Sequence, residues 1–254
     1  MYKKKKYDIP QRVGRVNKAN APYLYCDVKT ESEECVIYHL IAKNKVQLSV
    51  REDKTMKYIN QNNYPHIPYR TRAKVEGLTD EQRTTDVAES GCGLCCACMA
   101  VDYLTDKTLE LEDCVRLSEE CVANHSPGTD LGVLGPALAE KFNLCYKKSN
   151  DLDETIAHLK NGGVAIVLVG VPEGQERGLF TGWGHYMLLV STDGEEFCIL
   201  DPSYTEKKFK LPDRAGRVNE ANAPYLYCDV KTVDSEEFTK FDWGKYHLFK
   251  RKTT

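Results

Sequence analysis

Apolar positions along this chain fall at helical spacing first and at strand spacing later. Val46-Gln47-Leu48-Ser49-Val50 alternates and predicts a short strand. Residues 57–68 are rich in Asn, Tyr and Pro without periodicity, and read as a linker or domain entry. Thr79-Asp80-Glu81-Gln82 has the composition of a short helix cap. From Gly91 to Leu104 the pattern is helical. A second helix is predicted over Leu111–Ala123, apolar at Leu111, Cys114, Val115, Leu117 and Val122. Pro127-Gly128-Thr129 reads as a turn, and Leu131–Phe142 as a third helix. A fourth spans Asp153–Lys160, capped by Asp151 or Asp153 and stopped at Asn161-Gly162-Gly163. The character then changes. Val164–Val169 is wholly apolar, as in a buried strand; His185–Val190 and Phe197–Leu200 follow, with Thr192-Asp193-Gly194 turning between them. Helices followed by strands predict an α+β domain.

The chain also repeats itself. Residues 14–30, from Gly14 to Thr30, return as residues 216–232 with one change, Lys18 to Glu220. The same alignment sets Tyr2 against Tyr204, Tyr7 against Phe209, Pro10 against Pro212 and Arg12 against Arg214. Two occurrences do not make a solenoid, so the pattern reads as a partial duplication. Residues 1–56 are expected to form an N-terminal segment copying part of the C-terminal region, and residues 57–254 the main domain. Matching strand–turn units at the fold's periphery and a duplication with no structural role both fit.

Composition narrows the classes. With 41% hydrophobic and 29% charged residues, a packed core is expected rather than disorder. A net charge of −3 leaves no footprint for nucleic acid, and Lys3-Lys4-Lys5-Lys6 reads as a solvated end. No stretch reaches the ~18 apolar residues of a membrane span, and no apolar region follows the basic start as in a secretory signal. A cytoplasmic location follows as the expectation, with the eleven cysteines kept as thiols.

Among those cysteines one stands apart. In Glu89-Ser90-Gly91-Cys92-Gly93-Leu94 a glycine-flanked thiol opens a helix, where the dipole and unpaired N–H groups favour the thiolate. Downstream come Gly184-His185-Tyr186 opening one strand and Leu200-Asp201-Pro202 ending another. Nucleophile, base and orienting carboxylate therefore appear in the order Cys92, His185, Asp201. Packing is the competing reading for each of the three, and for Asp201 also a turn before proline. Cys95, Cys96 and Cys98 fit plain helix packing. A metal site would need a second knuckle such as another Cys-x-x-Cys, and the sequence holds none, so neither metal nor cofactor is expected. His39, His66, His125, His158 and His247 read as surface or packing residues. In the glycine-rich stretch 174–184, Phe180 and Trp183 are candidates to line a cleft as part of a lid, or simply loop aromatics.

Residues about 64–204 resemble the papain-like cysteine peptidases of the C39-like group. The resemblance rests on Ile67-Pro68-Tyr69, Ser90-Gly91-Cys92-Gly93, Gly128-Thr129, the strand after Gly162-Gly163, Gly184-His185-Tyr186 and Leu200-Asp201-Pro202. It implies a helical half packed on an antiparallel sheet with the site between them, a Cys92–His185–Asp201 triad, and a peptide or protein substrate. The expected activity is a cysteine peptidase or thiol acyl hydrolase. A non-catalytic binding module and a thiol acyltransferase are the alternatives. Two features depart from the family pattern. Leu94 stands where Cys-Gly-Pro is usual, and no glutamine follows Ile67-Pro68-Tyr69 as oxyanion donor. Gln82 is the nearest upstream glutamine and the candidate for that role. Partners beyond a substrate, and the oligomeric state, are not written in the sequence.

Overall fold

The computed structural model describes residues 56–71, 84–125, 128–240 and 242–252. All belong to one compact unit, Asp53–Thr254. The expected strand at Val46–Val50, the cap at Thr79–Gln82 and the first copy of the repeat lie outside the described residues. The elements run β1 (Pro68–Arg70), β2 (Thr84–Asp86), α1 (Val87–Ser90), α2 (Cys92–Leu104), α3 (Leu111–Glu120), β3 (Asn124–His125), β4 (Gly128–Thr129), α4 (Leu131–Phe142) and β5 (Leu144–Ser149). Then come α5 (Leu152–Lys160), β6 (Val164–Val169), β7 (His185–Thr192), β8 (Glu196–Leu200), β9 (Asn219–Asn222), β10 (Tyr225–Asp229), α6 (Val230–Ser235) and β11 (Tyr246–Arg251).

The architecture is mixed helix and antiparallel sheet. Seven strands lie in the order β5-β11-β6-β7-β8-β10-β9, and every neighbouring pair is antiparallel. Strand β6 is buried at all six positions because the sheet is covered on both faces. Val164, Ile166 and Leu168 join the core built with α2, α3 and α4; Ala165, Val167 and Val169 join a second core with Leu159 of α5 and Val230 and Val233 of α6. The alternation of a strand thus sorts one apolar run into two cores.

Helix α2 is buried almost all round, as its continuous apolar run demands, and Cys95, Cys96 and Cys98 are packing residues in it. Helix α4 ends on Asn143 in the left-handed conformation and α5 is capped by the Asp151 side chain on Glu154 N–H, the local chemistry expected of such ends. Of the two readings of residues 57–68, linker or domain entry, the structure fits the second. Met56, Ile59 and Ile67 are core residues, and Gln61–Asn63 forms a turn of 3-10 helix. The second copy of the repeat supplies β9, β10 and the start of α6. Strand β10 pairs with β8 inside the sheet, leaving β9 as the edge.

Candidate active site

The nucleophile candidate is placed by a tight elbow. Helix α1 stops at Gly91 and α2 begins at Cys92. The Gly91 N–H donates to the Val87 carbonyl at 2.8 Å, and the Gly91 carbonyl accepts from Cys95 N–H at 2.9 Å. A Cβ on Gly91 would sit 2.5 Å from the Val87 carbonyl oxygen and 2.6 Å from its side chain, so only glycine lets α1 run into α2 here. Cys92 therefore presents a half-buried thiol at the first position of a helix.

The base candidate, His185, is the first residue of β7, and the Asp201 carboxylate lies just past the end of β8. The β7–β8 register pairs Leu188 with Leu200; continued past the strand end it brings Ser203 opposite His185. His185 Nε2 lies 2.7 Å from Asp201 Oδ1 and 3.1 Å from Ser203 Oγ. That commitment leaves Nδ1 for Cys92, whose thiol is hydrogen-bonded to the His185 side chain. The three candidates, separated by as many as 109 positions from Cys92 to Asp201, thus form one chain of contacts.

Asp201 is fully buried, at 0% exposure. Its Oδ1 also accepts from Ser203 N–H at 2.8 Å and Ser203 Oγ at 3.1 Å, and its Oδ2 accepts from the Lys208 ammonium at 2.6 Å. Burial pushes its acidity the other way, but the charges of Lys208 and His185 and their hydrogen bonds outweigh it and hold the carboxyl well below the usual range. For His185, burial and Lys208 oppose protonation. The Asp201 charge and the bonds to Asp201 and Cys92 win, leaving its pKa above the ordinary value. Burial likewise opposes a thiolate at Cys92. The hydrogen bond and charge of His185, with backbone N–H groups of Tyr186 and Gly93, bring the thiol below its ordinary value. The neighbours behave oppositely: burial pushes Cys95, Cys96 and Cys98 well up. Cys92 alone in the helix is drawn toward the thiolate, while burial holds its neighbours toward the neutral thiol.

The segment read as a linker or domain entry holds this site together. Tyr58 OH donates to the Asp201 carbonyl at 2.7 Å, Asn60 Nδ2 to the Tyr204 carbonyl at 2.7 Å, and Gln61 N–H to the Pro202 carbonyl at 2.7 Å. The Gln61 side chain turns the other way and donates from Nε2 to the Ala88 carbonyl of α1 at 2.7 Å. Its Oε1 is buried without a hydrogen-bond partner. Gln61 therefore bridges the Asp201 turn and the helix that leads into Cys92. Sequence reasoning missed it by looking after Ile67-Pro68-Tyr69 rather than before. The candidate named instead, Gln82, lies outside the described residues.

The two cleft candidates separate. Phe180 is 1% exposed and packs edge-on against Phe209 in the second core, at 5.8 Å between ring centres, which makes it a packing residue rather than an accessible lining. Trp183 is 37% exposed, with Phe238 edge-on to it at 5.2 Å and the Lys240 ammonium 4.5 Å from its ring centre. Phe238 touches Trp243 at 6.2 Å, and a Cβ on Gly184 would come within 2.6 Å of its ring. An aromatic row therefore flanks the strand end that carries His185. The loop before it is tied down by Glu236, whose carboxylate accepts from Leu179 N–H at 2.6 Å.

Among the described residues no three His, Cys, Asp or Glu side chains converge as a metal ion would need, and no helix is long and apolar enough to cross a membrane. No family model matches the chain, and no curated protein matches it. Among solved structures, a crystal structure provisionally described as a C39-like peptidase from Bacillus anthracis matches at 13% identity with a TM-score of 0.44, over 65% of this chain and 91% of that one. A likeness of that extent fixes neither family nor activity.

Proposed function

We propose that the protein is a papain-like thiol hydrolase of peptide or isopeptide bonds, with Cys92 as nucleophile, His185 as its acid–base partner and Asp201 as the group that orients His185. One observation carries the reading. The only thiol of α2 drawn below its ordinary pKa is bonded to an imidazole whose far nitrogen rests on a buried, ionised carboxylate. Burial alone would leave a neutral cysteine, as it does at Cys95 and Cys96.

In this mechanism the Cys92 thiolate adds to the acyl carbon, and His185 passes its proton to the leaving amine as the carbon–nitrogen bond breaks. Water then attacks the thioester, giving its proton to His185 and releasing the acid and the thiolate. Asp201 keeps Nε2 engaged and so keeps Nδ1 facing sulfur, without taking the proton itself. The helix start at Cys92 offers one oxyanion donor from the backbone. The Gln61 side chain is the second in this reading: its backbone N–H is held by the Pro202 carbonyl, and its Nε2 keeps one hydrogen on the Ala88 carbonyl and has another to give. The Trp183–Phe238–Trp243 row serves as the substrate wall beside His185.

The test is covalent. A thiol-reactive acyl probe should modify the peptide containing Cys92 faster than any other cysteine, and Cys92→Ala should abolish that modification. Equal labelling at another cysteine sinks the assignment. Product mass with and without an added amine then tells hydrolysis from transfer to the amine.

A further inference from the structure

The Lys208 ammonium is a buried charge that the mechanism above does not use. Its side chain is 9% exposed, yet it sits in the hydrophilic run Glu206-Lys207-Lys208. Lysines are almost never this buried unless paired. Here the pairing is double: Nζ is 2.6 Å from Asp201 Oδ2 and 2.6 Å from Ser203 Oγ. The backbone fixes where it stands. Lys208 N–H closes a turn on the Thr205 carbonyl at 2.9 Å. The next residue, Phe209, is buried in the second core against Phe180 and Tyr204.

We propose that Lys208 is a positioning residue of the site. Its ammonium fixes the Asp201 carboxylate and the Ser203 hydroxyl in the orientation His185 uses, and its charge sets where the Cys92–His185 pair titrates. The proposal rests on the thiol reading above and adds a fourth member to it.

Geometry carries the argument. Asp201 spends Oδ1 on His185 and Ser203 and Oδ2 on Lys208, so the two cations grip opposite oxygens of one carboxylate and lock its rotation. Ser203 Oγ bridges them, accepting from Lys208 and lying 3.1 Å from His185 Nε2. Charges then alternate along the row: thiolate, imidazolium, carboxylate, ammonium. Without the ammonium that row carries a net negative charge around a largely buried imidazole, which favours the proton on His185. Among the described residues the other ionisable groups facing the row include Tyr58, beside Asp201, Tyr69 on β1, Tyr186 on β7, and Cys95 and Cys96 on α2. Burial pushes each of them up, so they stay neutral in the working range. Lys208 is thus the charge that opposes Asp201 at His185.

The size of the effect follows from distance. Through the Ser203 hydroxyl, the ammonium lies within about 6 Å of the imidazole; at an effective dielectric of ~20 this moves a titration by about two pH units.

The experiment needs no substrate. The rate of iodoacetamide alkylation at Cys92, read by peptide mass spectrometry on the full chain, is followed from pH 4 to 10. Wild type is compared with Lys208→Met, Lys208→Gln and Lys208→Arg. The glutamine variant keeps hydrogen-bond donors should the methionine variant fold poorly. The expected wild-type profile has a lower inflection where the thiolate forms and an upper one where His185 loses its proton. The neutral variants should move the upper inflection up by about two pH units, and Lys208→Arg should leave it near wild type. An upper inflection unmoved in the neutral variants overturns the role of Lys208 while leaving the thiol reading standing. A single wild-type inflection near the ordinary cysteine value of about 8.5 overturns both.

Discussion

Asp201→Asn separates the structural from the electrostatic share of the Asp201 carboxylate. In the wild type, Oδ1 takes His185 and Ser203 while Oδ2 takes Lys208 at 2.6 Å, and Asp201 itself is at 0% exposure. An amide keeps one acceptor oxygen and sets an NH2 group where the other oxygen stood. Either the ammonium or the imidazole then faces a donor, and Lys208 keeps a buried charge with no counter-charge. Breaking a buried pair in this way costs about 3–5 kcal/mol. For a domain of this size each kcal/mol is worth about 2–4 °C, so Tm should fall by roughly 6–20 °C. The pH dependence gives the finer test. Asp201 is held below its ordinary value, so its stabilisation is full above an unfolded value near 4 and is lost as pH falls toward its folded value. His185 is held above its ordinary value, so its share is full below about 6.5 and is lost as pH rises through its folded value. The two shares coexist between about pH 4 and 6.5. The gap between wild type and Asp201→Asn should be widest there, narrowing at higher pH to the Lys208 share alone. Urea unfolding at pH 5 and pH 9, with calorimetry at both, reads it. A gap under about 1 kcal/mol at pH 5, or one that widens toward pH 9, refutes the reasoning.

Three further outcomes follow from particular contacts. Gly91→Ala forces a Cβ to 2.5 Å from the Val87 carbonyl oxygen, so the α1–α2 elbow must open; Cys92 alkylation should slow at least tenfold while circular dichroism keeps the helical signal. Gln61→Ala should lower kcat by about 10²–10³ with little change in KM, whereas Gln82→Ala should leave both alone; equal losses in the two variants, measured on any turned-over peptide, remove Gln61 as oxyanion donor. His247 is fully buried, with Nδ1 2.9 Å from Tyr146 OH, and burial, helped by Lys148, pushes its pKa down to about 3. The unfolded chain protonates this residue below about 6.5 while the folded chain does not, so wild-type stability falls with pH across that window by up to about 1.4 kcal/mol per unit. His247→Phe should flatten that slope in urea titrations between pH 6 and 4, and an unchanged slope argues against a neutral buried imidazole.

What the sequence disclosed, and what it hid, divides along the range of the forces involved. Helix α2 and strand β6 were legible because long apolar runs have few other uses, and the elbow at Cys92 because glycine beside a helix start is a local signal. His185 and Asp201 were legible as strand termini, the positions where a sheet delivers side chains to its rim. The support of the site was not legible, since it is made by side chains whose job is to satisfy backbone carbonyls of distant turns. Tyr58, Asn60 and Gln61 carry no period, and an Asn-rich stretch has the same composition whether it is a tether or a clamp. The second repeat copy hid its role differently. Tyr225-Leu226-Tyr227-Cys228-Asp229 was visible as repeated sequence, but only pairing with β8 makes it an interior strand. Lys208 is the clearest case. Within Glu206-Lys207-Lys208 one lysine is exposed and its neighbour lies against a buried aspartate, and no propensity or charge rule distinguishes them. Phe209 does, in retrospect: an aromatic drawn into the core fixes the backbone and turns the preceding side chain toward Asp201. A buried charge becomes readable through the apolar residue that anchors it.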